Sequence, residues 1–575
     1  MSKEISASEF IELISEYSDE VIEISEVVVT EELLVKDSFP KNGLVLKNCE
    51  FKKHFILENV DLFIGIKIID CNFHKSLSFN DCKATDYNHE FNFTYAHINI
   101  SNSNIKGLFF NGDNEIERGV KIYDKTNIKI LQVESIKSVN GGFSINNSDI
   151  GECFDIRNSL FSEGISITEN STVRTMIRFE FIEANSIVFQ KSLFEGIINL
   201  FSGNEVSLCF EDSEFHNDVN IIAVPISSLT IVGSDFKDSF KIKNEDKTNS
   251  VIGSVDTIYL SSNKFRNRFL LEDDNINISK FHIVFSRQFE GECYLKSCNI
   301  LETIITGDNH SGNLVFNSCR LKNLKIDDFN NYSNLSLISV KEYDKDSIFS
   351  ICNTNLGKTQ LFNTSLGDFK QIIISNSILL DVLTANVTWF ADNQLFTGDN
   401  SEREYVQIRE VYRQLKYSSE KEGNKISLLK FKALELQAYR KELNSKHSWF
   451  CRLFRNDTYL MWAGMTNNNG QSWFKPVLLA VIFGVIIHFL MIVGISTNLE
   501  YGFNFSSYSW LMTWSEYCEY FKTFPQVMNP THILKRVFGN EIDISAPVYF
   551  LDYLLRIVIA FFIFQVITAF RKYMK

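Results

Sequence analysis

Proline is nearly missing from this chain: 575 residues hold six, and glycine is sparse at 26. That excludes a proline-rich linker protein and a collagen-like chain. The signatures GxxxxGK[ST], GxGxxG, HExxH and GxSxG are absent, which removes the commonest motifs for phosphate, dinucleotide, zinc-hydrolase and serine-nucleophile chemistry. The eleven cysteines form no CxxC pair, and the C-x4-C spacing of Cys293 and Cys298 carries little metal signal by itself. Ten histidines are dispersed without metal spacing. Basic residues are not in excess: 57 Lys+Arg stand against 71 Asp+Glu, a formal charge of -14, the opposite of a generic nucleic-acid binder. The opening stretch MSKEISASEF has no apolar h-region. The expectation is no signal peptide and a body that stays in a reducing cytoplasm.

What is abundant is phenylalanine, 51 residues, within a chain that is 45% hydrophobic and 22% charged. The chain is apolar enough to fold and too long for one ordinary core. Its charge is uneven. Residues 1–401 carry 36 Lys+Arg and 57 Asp+Glu, residues 402–475 carry 14 and 8, and residues 476–575 carry 7 and 6. An acidic body thus leads through a short basic collar into an apolar tail.

The body is a repeat. The pattern apolar, any, Asn/Asp/Ser, small polar or Cys, any, then Phe/Ile/Leu recurs as LKNCEF (46–51), FEDSEF (210–215), LSSNKF (260–265), LKSCNI (295–300), FNSCRL (316–321) and ICNTNL (351–356). VGSDF (232–236) and ISNSI (374–378) are shorter copies. Phe51, Leu62 and Phe73 are 11 apart, and Phe194, Phe215 and Phe236 are 21 apart. A period near 21 with a half-period near 11 describes one coil with two similar corners. Segments such as GISIT, SIVFQ, VSLCF and IIISN alternate apolar residues and read as short strands. The expected fold is an all-β parallel β-helix solenoid. At ~4.8 Å per coil, roughly sixteen coils would stack to about 75 Å. Insertions or bulged coils are expected near 107–142, 244–256 and 328–347. Cysteines share positions with Ser and Thr, so they read as small buried side chains.

Expected boundaries are 1–40 for an N-terminal cap, with an amphipathic helix at 5–18, and 41–400 for the β-helix. A helical-hairpin collar follows at 401–450. Ile408, Val411, Tyr412 and Leu415 fall at i, i+3, i+4 and i+7, and a second helix is expected from 426 to 443. The hairpin would close the solenoid, and its Lys and Arg residues suit either anionic headgroups or a solvated face. Residues 451–575 make a membrane domain. Span 476–496 has no formal charge, and span 548–570 carries Asp552, Arg556 and Gln565; each is long enough to cross ~30 Å of hydrocarbon. Lys446, Arg452, Arg455 and Lys475 flank the first span, and Arg571, Lys572 and Lys575 follow the second. The positive-inside rule then puts both termini in the cytoplasm and the loop 497–547 outside. Its aromatic segments 501–505, 508–514 and 517–524 suit the membrane interface, and the loop gives a slight hint of a re-entrant element.

The stretch from Tyr412 through EKEGN (420–424) and KFKALELQAYRKEL (430–443), then NNNGQSWFKP (467–476) and NPTH (529–532), resembles bacterial membrane-anchored pentapeptide-repeat-like proteins. The likeness covers about 412–575; strict A(D/N)LxX repeats are absent from the body. It implies architecture, a bacterial inner-membrane multi-pass protein, more than activity. Some membrane effectors of bacterial phage defence share the plan of a cytoplasmic sensor with few membrane helices.

Polar residues within spans are functional candidates by default. Asp552 and Arg556 are i, i+4 and can pair, either as an interfacial ion pair with Arg556 snorkelling outward or as a pore-lining or gating pair. Gln565 suits an interhelical hydrogen bond or a pore-facing position. His488 suits packing or interhelical bonding more than proton sensing. The adjacent acids Asp273–Asp274 and Asp327–Asp328 read as solvated turn residues, so no enzyme, metal or cofactor is expected. Two helices cannot enclose a channel alone, so a homo-oligomer is. The leading expectation is a cytoplasmic β-helix that binds an unknown protein or small molecule and controls an oligomeric membrane module of the pore-forming or channel type. The alternatives are a membrane-tethered binding scaffold and an acidic rod that mimics nucleic acid.

Overall fold

The structure, a computed structural model, describes residues 3–15, 20–37, 39–84, 96–202, 204–222, 224–243, 254–272, 276–398, 404–446, 462–495, 517–518, 520–539 and 544–570. The chain divides into two compact units, Met1–Phe396 and Thr397–Lys575.

The recurring six-residue pattern builds the corners of the first unit. Its third residue is left-handed in every copy named above: Asn48, Asp212, Gly233, Ser262, Ser297, Ser318, Asn353 and Asn376 have φ between 47° and 63°. Asn, Asp and Gly tolerate that conformation best, because a short polar side chain bonds locally and Gly has no Cβ. The fourth residue turns inward and holds the corner shut. Ser213 Oγ donates to the Glu211 carbonyl at 2.8 Å, Thr354 Oγ1 to Cys352 at 2.6 Å and Cys298 Sγ to Lys296 at 3.2 Å. The same small side chains accept from the previous coil: Ser192 N–H donates to Ser213 Oγ at 3.2 Å, and Ser213 N–H to Ser234 Oγ at 3.3 Å. Corner backbone that the strand ladders leave free is thereby satisfied without water.

Between corners run short parallel strands whose alternate residues are buried, as in Ile66–Ile69 and Val206–Glu211. They stack into a parallel β-solenoid of about sixteen turns. Leu44 pairs with Ile66, Phe143 with Ile165, and Leu208 with Leu229. Like residues therefore stack: Phe194, Phe215 and Phe236 have ring centroids 4.9 and 4.6 Å apart. Among the described residues the longest coils pair Ile66 with Ile98 and Leu229 with Ile258. Part of the expected irregularity at 244–256 lies outside the described residues. Around 107–142 no residues are inserted where Val120 pairs with Phe143, but the register shifts between Ile105 and Gly107 and between Ile128 and Ile130, as in bulged strands; near 328–347 the coil is enlarged, with Ile326 paired to Ile351. Pairing begins before residue 41: Lys3–Ile5 pairs with Val27–Val29, and Ile22–Ser25 with Leu44–Lys47. The helix Ala7–Ser15 lays buried Phe10 against Phe51 and Phe55, at 5.8 and 5.9 Å.

In the second unit, helices Glu404–Lys421 and Lys425–Lys446 form an antiparallel hairpin. Gly423, at φ 74°, supplies the left-handed turn. Tyr412 is fully buried against Phe431, and Lys416 pairs with Glu435 at 2.6 Å. Helices Phe474–Ile495 and Ala546–Phe570 are long and apolar enough to cross a membrane. They run antiparallel: Gly494 faces Val548 at one end, Phe483 meets Phe562, and Trp473 stacks on Phe570 at the other.

Candidate functional site

The two long apolar helices present opposite chemistry inward and outward. Beyond Lys475 in the first turn, their exposed side chains are largely apolar, including Leu478, Ile482 and Ile486 on the first and Ile557, Phe561 and Phe564 on the second. Only about a third of each helix's most apolar stretch is buried, 33% and 28%. Asp552, Gln565 and His488 are buried, at 5%, 7% and 0% exposure. A core helix of a water-soluble domain would bury its apolar side chains and expose its polar ones.

Asp552 and Arg556 are one helical turn apart and joined. Arg556 Nε donates to Asp552 Oδ2 at 3.0 Å, and Arg556 Nη2 lies 2.8 Å from the same oxygen. A third group completes the cluster. His532, from the segment linking the two helices, places Nε2 2.7 Å from Asp552 Oδ1. The two atoms face each other outside hydrogen-bond geometry. His532 Nδ1 lies 2.6 Å from the Asn529 carbonyl and must donate to it. Arg556 Nη2 also donates to the His532 carbonyl at 2.7 Å. The cluster thus ties the linking segment to the second helix through charge-assisted bonds.

Gln565 makes a separate tie. Its Oε1 accepts from Asn467 Nδ2 at 2.6 Å, and Asn467 Oδ1 accepts from Gly470 N–H at 2.8 Å. Asn467 is 2% exposed, so the turn entering the first helix is pinned to the end of the second. His488 Nε2 lies 3.0 Å from Thr523 Oγ1, whose hydroxyl donates to the Tyr520 carbonyl. That assigns the Nε2–H tautomer and leaves Nδ1 without a hydrogen-bond partner among the described residues. The rings of Tyr517, Phe524 and Phe538 surround it. The four residues singled out in the sequence therefore occupy three places; only Asp552 and Arg556 meet.

Sequence reasoning placed His532 and Asn467 inside recognised stretches, NPTH and NNNGQSWFKP, without giving them roles. Thr523 carried no signal. Their partners lie 20, 98 and 35 residues away, beyond any helical or strand period.

The solenoid offers grooves between stacked corners. One, of about 550 Å³, is lined by Asn170, Lys191, Asp212, Glu214 and Asp235; another, of about 490 Å³, by Glu115, Lys137, Leu160, Phe181 and Glu183. Phe181 is 63% exposed at φ 53°, a left-handed conformation rare for a bulky residue. Asp327 pairs with Lys325 at 3.0 Å; Asp273 and Asp274 lie outside the described residues. Burial pushes the Cys82 thiol up to about 11, the behaviour of an inert structural cysteine.

Comparison with protein-family models, with curated proteins and with solved structures gives no match.

Proposed function

We propose that this chain is an integral membrane protein in which a cytoplasmic β-solenoid binds a protein or small-molecule ligand and controls an oligomeric membrane module that conducts ions. The observation that carries it is the inverted burial of the two long helices: apolar side chains outward, Asp552, His488 and Gln565 inward. That pattern suits lipid outside and a polar seam inside. Two helices per chain cannot surround a water column, so the pore is built from several copies. The basic flanks support an orientation with both termini cytoplasmic, and the resemblance to bacterial membrane-anchored proteins supports a bacterial inner membrane. A role in phage defence rests on likeness of plan alone.

The test is expression of the intact chain in bacteria with a voltage-sensitive dye, beside a 1–470 truncation and an Asp552→Ala/Arg556→Ala/Gln565→Ala variant. Membrane abundance of each is measured by immunoblot. Depolarisation with the intact chain alone, at equal abundance, supports the pore. Equal potential in all three, with and without the ligand captured by the solenoid, leaves the tethered scaffold as the function.

A further inference from the structure

The segment joining the two apolar helices does not stay at their ends. Gly484 lies ten residues from Phe474 and eleven from Ile495, so at 1.5 Å per residue it is ~15 Å from each end of that helix. Met528 and Phe524 pack against it: a Cβ on Gly484 would stand 2.5 Å from Met528 Sδ and 3.3 Å from Phe524 Cε2. Arg556 lies ten residues into the second helix, again ~15 Å deep, and bonds the His532 carbonyl. The short helices Phe524–Val527 and Leu534–Phe538, with the turn between them, thus reach the middle of the helix pair and return. Thr523, Val527, His532, Leu534 and Phe538 face the helices and are buried.

The other side is polar. Lys522, Gln526, Asn529, Thr531, Lys535 and Arg536 are exposed, with Phe521 and Ile533 beside them. Backbone that is neither long helix nor barrel, carrying exposed lysine and arginine at mid-bilayer depth, cannot face hydrocarbon. It faces water or another subunit.

Resting on the pore reading above, we infer that residues 520–539 form a re-entrant hairpin whose polar side lines an aqueous path between copies of this chain, and that its basic lining favours small inorganic anions. Lys522, Lys535 and Arg536 supply the field, as rings of basic side chains do in anion pathways. Asp552, the acid at this depth among the described residues, is turned to His532 and Arg556 instead of to the path.

The test uses the full chain with Cys518→Ser and one added cysteine at a time: Gln526→Cys, Asn529→Cys, Thr531→Cys, and Leu478→Cys as a lipid-facing control. Membranes are first washed with alkaline carbonate. Release of the chain would overturn membrane insertion and the hairpin together. In chains that stay in the membrane, spheroplasts and inside-out vesicles are treated with charged, impermeant methanethiosulfonates. Labelling at 526, 529 and 531 with none at 478 is expected, and the anionic reagent should react roughly tenfold faster than the cationic one. Lys535→Glu/Arg536→Glu should remove that preference. No labelling at the three positions from either side would overturn the hairpin while leaving the spans. Faster reaction of the cationic reagent would overturn the anion pathway.

Discussion

A solenoid corner depends on one backbone angle and one small hydroxyl or thiol. Asn147, at φ 46°, precedes Ser148, whose Oγ donates to Asn146 at 2.8 Å. Asn147→Val should destabilise the chain by roughly 1–2 kcal/mol, since a branched Cβ resists the left-handed region, whereas Asn147→Gly should stay near neutral. Thermal unfolding of both variants checks the pair; equal losses would show that the Asn side chain, and not φ, matters. The sequence displays the Asn/Asp/Ser and Ser/Cys/Thr slots plainly, because every coil repeats them. It does not display His532 or Asn467, which occur once and act on residues far along the chain. For Asn467 and Gln565 the expectation is an asymmetry. Gln565→Leu alone leaves buried Asn467 Nδ2 with only the position-565 carbonyl, at 3.5 Å, and should cost about 1–3 kcal/mol, while Asn467→Leu with Gln565→Leu should recover part of it. A double-mutant cycle in detergent measures this, and additive losses would remove the pairing.

At the level of elements, what is periodic is legible and what is singular is not. The spacing of Phe194, Phe215 and Phe236, and of Phe51 and Phe73, is the stacking itself, and the 11-residue step from Phe51 to Leu62 runs from one corner of a coil to the other. The apolar helices follow from run length alone. The linking segment has neither signal. Its place is set by Gly484, where the first helix has room for Met528 and Phe524, and by the His532–Asp552–Arg556 cluster. Gly484→Leu should therefore expel the segment, and His532→Ala should loosen it from the second helix. Both should speed tryptic cleavage after Lys535 and Arg536 in detergent, by about tenfold for each ~1.4 kcal/mol of local stability lost. Cleavage unchanged by either substitution would separate the cluster from the segment's position.

At the scale of the whole solenoid, stacking sets a charge problem. Each coil places a residue beside its equivalents one turn up and down, at ~4.8 Å, so an acidic body would align like charges along its length. The structure alternates them: Lys36 with Glu58 at 2.8 Å, Lys241 with Asp218 at 2.8 Å, Arg268 with Glu292 at 2.7 Å and Lys370 with Asp346 at 2.6 Å. Exposed pairs of this kind contribute ~0–1 kcal/mol each, and their first effect is to remove repulsion. Other contacts on the solenoid surface hold several carboxyls below the usual range. Lys52 and His74 do so for Glu50, Lys237 and His216 for Glu214, Asn267 for Asp238, and Lys322 for Asp344. A carboxyl depressed in the folded state binds its proton more readily when unfolded. Its contribution is therefore complete above the ordinary carboxylate range and is lost as the pH falls through and below it. The β-signal of the intact chain should hold from neutral pH to about 5 and decline below about 4. Added salt should soften the decline, because it screens exposed pairs and the excess charge alike. Circular dichroism against pH at two ionic strengths checks this. Loss of structure above pH 6, far from any carboxyl, would show that the ladder of paired charges does not govern the solenoid's stability.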